Sequence, residues 1–276
     1  IDVFEKEPNF NKKPEEQDYT NPLLELDNVI YTPHLGASTE EANHNVSLGV
    51  AKLIEGALKG EMVAAVNMPR INVDNINGLK PYVTLAEILG KIYYQAESNT
   101  VHKIEVIYSG DLAQQDTKLI TLSVIKGFVE HATQETVNYV NAGYIAKNMG
   151  LEIVESKSTN LDKYTNLITV KFFTRERELS VSGTVFAKEE IRIVDFFGYK
   201  LDFEPTPYVI AIQNIDKPGI IGKIGSILGA NNINIAAMQW SRNRKSDNKA
   251  VAFVSVDCQV NNSILEEIRK IGRAHV

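Results

Sequence analysis

Cysteine is nearly absent from this 276-residue chain, in which Cys258 stands alone. One thiol closes no internal disulfide and cannot supply the ligands of a Cys-based zinc or iron–sulfur centre, so a reducing cytoplasm is the expected compartment. Cys258 follows the apolar run Ala250–Val256 and is expected to act as a small core-facing hydrophobe. Long apolar runs are missing too: none reaches the roughly 18–20 residues that span a bilayer. No basic stretch followed by an apolar one opens the chain, so no secretion signal is expected. Basic charge is in deficit, with 29 Lys and Arg against 35 Asp and Glu and a net charge of −6, which suits neither a nucleic-acid nor a membrane partner. Neither G-x-G-x-x-G nor G-x-x-x-x-G-K-[ST] occurs, so no dinucleotide cradle lies within these residues. His44, His102, His131 and His275 are scattered without metal-ligand spacing and read as structural or solvated, so no metal site is expected. The first residue is Ile1 rather than Met, and the chain is expected to be part of a longer protein.

What is present divides into three regions. Residues 1–67 hold a charged, proline-containing loop (Glu5 to Pro22), a short strand Val29–Tyr31 and a helix from about Ser38 to Leu58. Ser38 is a candidate N-cap, and Glu40 and Glu41 stand in the first turn where the helix dipole favours them. Ala42, Val46, Val50, Leu53 and Ala57 form one apolar stripe, and Gly60 ends the helix. One strand and one helix are too little for a core of their own.

Residues 68–205 predict helices over Pro81–Glu97, Thr117–His131 and Val137–Asn148. Strands are predicted over Lys103–Ser109, Leu151–Glu155, Asn166–Thr174, Leu179–Phe186 and Ile191–Phe197. Strands grouped after helices imply an α+β domain with a largely antiparallel sheet. Residues 206–276 show strand Tyr208–Ile215, helix Pro218–Ala230, strands Ile233–Ser241 and Ala250–Asp257 across the turn Arg242–Lys249, helix Asn262–Ile271 and a closing strand. That order is βαββαβ, the ferredoxin-like arrangement.

Two places carry candidate chemistry. His34, at a strand mouth beside a loop, suits general acid–base work if a carboxylate orients its ring; otherwise it is a packed or solvated histidine. Glu7, Glu5 and Asp2 are the nearby acids, and Glu7 is preferred because Pro8 restrains its backbone. The second place is Asn214-Ile215-Asp216-Lys217-Pro218-Gly219-Ile220, between a strand and a helix. Pro218 fits the first helical position, the free N–H groups near Gly219 and Ile220 can receive a carboxylate, and Asp216 can take an ammonium. The plain alternative is that Asp216 merely caps the helix. Gly222, Gly225 and Gly229 line one helix face, which suggests close approach of another element. Arg175, Arg177, Arg192 and Lys171 form either an anion pocket or, more simply, a solvated strand face, and Trp240 reads as packing or interface area.

Ile1-Asp2-Val3-Phe4-Glu5-Lys6-Glu7-Pro8, Asn21-Pro22-Leu23-Leu24, Asp27-Asn28-Val29 and Thr32-Pro33-His34-Leu35-Gly36-Ala37-Ser38-Thr39 resemble the end of the nucleotide-binding domain of D-2-hydroxyacid dehydrogenases. Within them the likeness is to the long bacterial 3-phosphoglycerate dehydrogenases. Residues 68–205 resemble their intervening, allosteric-substrate-binding domain and 206–276 their amino-acid-sensing ACT domain. The resemblance implies that His34 and Glu7 are the catalytic proton-exchange pair, with NAD as cofactor and 3-phosphoglycerate as substrate. The substrate-holding arginine and the glycine-rich NAD site lie upstream in the family, so these residues alone are expected to be inactive. It further implies an L-serine site made by Asn214, Asp216, Gly219 and Ile220 with Asn234, at the seam of two ACT domains in a homo-oligomer. A serine dehydratase β-component shares the later pattern but lacks the Pro-His-Leu-Gly-Ala-Ser-Thr segment. The alternative is a stand-alone amino-acid-binding regulatory module without catalysis.

Overall fold

The computed structural model describes residues 1–9, 12–16, 19–69, 73–158, 163–187, 189–242 and 248–275. The chain forms two compact units, Ile1–Lys59 and Gly60–Val276.

In the first unit the helix α1 runs Glu40–Leu58. Its N-cap is Thr39, not Ser38: the Thr39 side chain accepts from the Ala42 N–H, while the Ser38 N–H is spent in a turn on the Leu35 carbonyl. Gly60 follows it in the left-handed region at φ 80°, as expected of a helix stop. The expected strand Val29–Tyr31 is not formed. The Ile1 ammonium donates to the Ile30 carbonyl, the neighbouring Thr32 N–H to Ile1 and the Val29 N–H to Leu26, isolated bonds that build no ladder. The α1 stripe is there in sequence but not buried: Val46, Val50 and Leu53 are all exposed.

The second unit opens on α2, Val73–Ala96, which begins before the expected Pro81 and carries that proline in its interior. Leu85, Leu89 and Tyr93 are fully buried along the expected face, with Ile88 and Ile92 beside them. Strand β1 (Lys103–Gly110) buries alternate residues, Ile104, Val106 and Tyr108. Helix α3 (Lys118–Ala132) follows, then α4, which is confined to Ala142–Asn148. The shorter α4 has a local cause. Asn138 accepts from the N–H groups of Val140 and Asn141, and Asn141 accepts from that of Asn138, so side chains close turns where the helix was expected to start.

Strands β2 (Glu152–Ser158), β3 (Asn166–Phe173), β4 (Glu178–Phe186), β5 (Glu190–Phe196) and β6 (Tyr199–Phe203) complete a six-stranded sheet in the order β2-β1-β3-β4-β5-β6. Only β1 and β2 are parallel; every other neighbouring pair is antiparallel, as the grouped strands implied. β6 was not anticipated. It is the return of a tight hairpin whose turn, Phe197-Gly198, has both residues at positive φ. Helices α2 and α3 cross at contact distance because glycines face each backbone: a Cβ on Gly90 would strike the Val124 carbonyl and one on Gly127 the Glu87 carbonyl. Beside that crossing, burial pushes the Glu87 carboxyl up, but hydrogen bonds from Lys91, Lys126 and Tyr139 outweigh it and hold it at about 2.

The last stretch is β7 (Val209–Ile215), α5 (Ile220–Ala230), β8 (Ile235–Arg242), β9 (Lys249–Val256), α6 (Asn262–Arg269) and β10 (Arg273–His275). The sheet order β10-β7-β9-β8 with both helices packed on it is the ferredoxin-like βαββαβ arrangement. Its core is Ile210, Ile212, Ile224, Leu228, Val254 and Ile268 with their neighbours. Three expectations fail here. Cys258 is exposed beyond the end of β9. Gly222, Gly225 and Gly229 meet nothing within 4 Å of an added Cβ, so among the described residues no other element approaches that face. Pro218 lies before the helix, whose N-cap is Gly219 at φ 89°. The turn expected over Arg242–Lys249 includes 243–247, and the closing strand includes Val276; both fall partly outside the described residues.

Candidate functional sites

His34 and Glu7 come together in the first unit. His34 Nδ1 stands 3.0 Å from Glu7 Oε2. His34 itself is held at φ 51°, a conformation that non-glycine residues adopt at a cost, by its N–H donating to Asp2 and Thr32 carbonyls. Asp2 fixes the loop around it by accepting from the Thr32 hydroxyl and the N–H groups of Leu35 and Gly36. Of the three acids open in the sequence, then, Glu7 reaches the ring and Asp2 serves the loop. The hydrogen bond to Glu7 raises the His34 pKa above 6.5, with the carboxylate's charge adding to it. The Thr32 hydroxyl and the loop N–H groups lower that of Asp2. The pair lines a hollow of about 310 Å³ with Phe4, Pro8, Tyr19, Leu24, Tyr31 and Thr32. A carboxylate on Nδ1 leaves Nε2 as the atom that can exchange a proton.

The second place is the loop between β7 and α5. Asp216, Lys217, Pro218, Gly219, Ile220, Ile221, Trp240 and Arg242 enclose about 270 Å³. No side chain caps α5, and its first intrahelical bond runs from Lys223 N–H to the Gly219 carbonyl, so the N–H groups of the first turn point out of the helix end. Asp216 does not cap the helix. Its carboxylate pairs with Arg242 Nε at 2.6 Å, while its own N–H donates to the Asn248 carbonyl.

Asn214 does not line this hollow, and Asn234, expected at the seam of two such domains, lies at the other end of β8. Asn214 is buried at 4 % exposure, donates from Nδ2 to the Ile215 carbonyl, and has a buried Oδ1 without a partner. It packs beside Gly272, where an added Cβ would crowd the Asn214 Cβ, and it does not line the hollow. Asn234 precedes β8 and donates to Asp257, whereas Arg242 and Asp216 stand at the far end of that strand. Eight residues of extended chain separate them, on the order of 25 Å. Conversely, Trp240 and Arg242 were not anticipated as neighbours of the loop. Only the β8–β9–β7 register, which sets Arg242 opposite Ala250 and Lys249 opposite Ile215, brings them there.

Three of the four cations considered for an anion pocket are ion-paired, as a solvated strand face would have them. Lys171 pairs with Glu178, Arg177 with Glu97, and Arg192 with Glu190, Asp202 and Glu204. No group of three or more His, Cys, Asp or Glu that could hold a metal occurs among the described residues, and no helix there is long and apolar enough to cross a membrane.

Comparison with known proteins gives two family matches. Residues 78–197 match the D-3-phosphoglycerate dehydrogenase intervening domain, and 208–273 match the ACT domain. Curated relatives named D-3-phosphoglycerate dehydrogenase include that of Methanocaldococcus jannaschii, 39 % identical over 98 % of this chain and 50 % of that protein. That of Synechocystis is 37 % identical over 99 % and 48 %, and that of Bacillus subtilis 35 % over 98 % and 50 %. The chain spans about half the length of the curated relatives it matches.

Proposed function

We propose a function from this premise: the chain carries the intervening domain and the ACT domain of the D-3-phosphoglycerate dehydrogenases and matches the C-terminal part of those enzymes. It is the regulatory part of an NAD-dependent enzyme that oxidises 3-phosphoglycerate for serine synthesis, and its ACT domain senses L-serine as feedback effector. The observation that carries this reading is the hollow before α5, where an uncapped helix end and the Asp216 carboxylate lie side by side. The helix end offers N–H groups to the effector's carboxylate and Asp216 takes its ammonium.

Asn234 joins from a second copy. β8 is an edge of the four-stranded sheet, and two such edges paired antiparallel lay the Asn234 end of one against the Arg242 end of the other. The site is therefore shared in a homo-oligomer. Asn214 supports the loop from beneath through the Ile215 carbonyl.

In the first unit, His34 exchanges a proton with the substrate's 2-hydroxyl, and Glu7 orients the ring and stabilises the imidazolium. The dinucleotide that accepts the hydride has no cradle in these residues. The one parallel strand pair among the described residues, β1 with β2, is linked without a glycine-rich phosphate turn. This chain by itself therefore supplies the proton exchange and the sensing, not the whole reaction. The His34–Glu7 pair also favours this reading over a stand-alone sensor, which has no use for it.

Calorimetric titration with L-serine tests the assignment. The chain is expected to bind saturably, and Asp216→Ala to weaken binding at least about tenfold, the scale of one lost charge-assisted hydrogen bond. Absence of serine binding, or equal binding by the variant, would refute it.

A further inference from the structure

The ion pair between Asp216 and Arg242 changes what the hollow can recognise. Asp216 alone would select any ammonium. Its carboxylate, however, is held at 2.6 Å by a guanidinium that lines the same 270 Å³, and Lys217 lines it as well. Two cations against one carboxylate, together with the positive end of α5, leave the hollow with an excess of positive charge. Arg242 is 73 % exposed and Asp216 22 %, so the guanidinium lies on the solvent side of the pair and is the partner free to swing away. Its contact runs through Nε, on a group that has five N–H donors in a planar fork suited to a carboxylate. Trp240, the chain's single tryptophan, closes another wall and limits the side chain that fits.

Resting on the amino-acid-sensing reading above, we propose that Arg242 is the specificity-determining residue of this site, the clamp for the effector's α-carboxylate. A free α-amino acid enters between the paired side chains: its ammonium takes Asp216 and its carboxylate takes the guanidinium fork alongside the N–H groups of Gly219 and Ile220. The hollow thus selects zwitterions over amines or amino-acid amides of the same size. In the absence of effector, Arg242 occupies the ammonium's place on Asp216 and keeps that carboxylate partnered, which avoids leaving an uncompensated charge at the site.

The test compares L-serine with L-serinamide, which keeps the ammonium and hydroxymethyl groups but replaces the carboxylate by a neutral amide. Binding is followed by calorimetry and by Trp240 fluorescence on the full 276-residue chain, with Arg242→Gln and Arg242→Lys as variants. Wild type is expected to prefer L-serine over L-serinamide at least about tenfold. Arg242→Gln should weaken L-serine by about tenfold and leave L-serinamide within about twofold, which collapses the preference. Arg242→Lys, which keeps the charge without the fork, should fall between the two. Serine affinity in Arg242→Gln equal to or tighter than that of wild type would overturn the clamp while leaving serine sensing intact. Failure of wild type to bind L-serine at all would instead sink the underlying assignment. Because Arg242 is a surface side chain at the end of β8, neither substitution removes core packing.

Discussion

At His34 a strained backbone and a charged partner act on one ring. His34 sits at φ 51°, and Glu7 at 3.0 Å raises the pKa of its ring. The pKa in the folded chain is raised, so the stability contributed by the pair is fully present below the unfolded value near 6.5 and is lost as pH rises through the folded value. An NMR titration of His34 is expected to give a pKa above 6.5 that returns toward that value in Glu7→Gln. An unshifted wild-type titration, or a shift that survives Glu7→Gln, would break the pairing. Spacing left Glu7, Glu5 and Asp2 all open, with Pro8 a modest reason for Glu7, and it was the family resemblance of the motifs around His34 and Glu7 that named the pair. Arg242 was not legible in the sequence. Its place beside Asp216 depends on which residue of β8 ends opposite the β7–α5 loop, a fact of strand register that spacing along the chain does not carry.

Among the elements, those with a clean period were readable and those governed by local side-chain bonds were not. β1 alternates and α2 buries Leu85, Leu89 and Tyr93 on one face, as their sequences say. The expected start of α4 gives way to the Asn138–Asn141 turns, and β6 hides behind a two-residue hairpin with a phenylalanine in the left-handed region. The glycines told a divided story. Those of α5 look like a packing face yet are open in this chain, while Gly90 and Gly127, unremarkable in sequence, are where α2 and α3 touch backbone to backbone. Gly127→Ala should therefore destabilise the second unit by roughly 2–3 kcal/mol, against the gain of about 1 kcal/mol that alanine brings to a helix interior. A shift of the denaturant midpoint, followed by far-ultraviolet circular dichroism, checks it. A neutral or stabilising result would mean that the helices part freely.

On the scale of the whole molecule, the four-stranded sheet ends on β8, whose Ser241 donates to the Lys200 carbonyl of β6, while the residues expected to grip one small zwitterion lie at that strand's two ends. In the proposed assembly, two chains paired along β8 would close such a site twice. The most direct measurement mixes two variants, Asp216→Ala and Asn234→Ala, each of which should bind L-serine poorly alone. In a mixed dimer one site carries both substitutions and the other carries neither. Equal mixing after subunit exchange should therefore restore wild-type affinity at about one site per four chains, counted by calorimetry. If the mixture binds no better than its components, the two residues do not meet across a seam and the shared site is wrong.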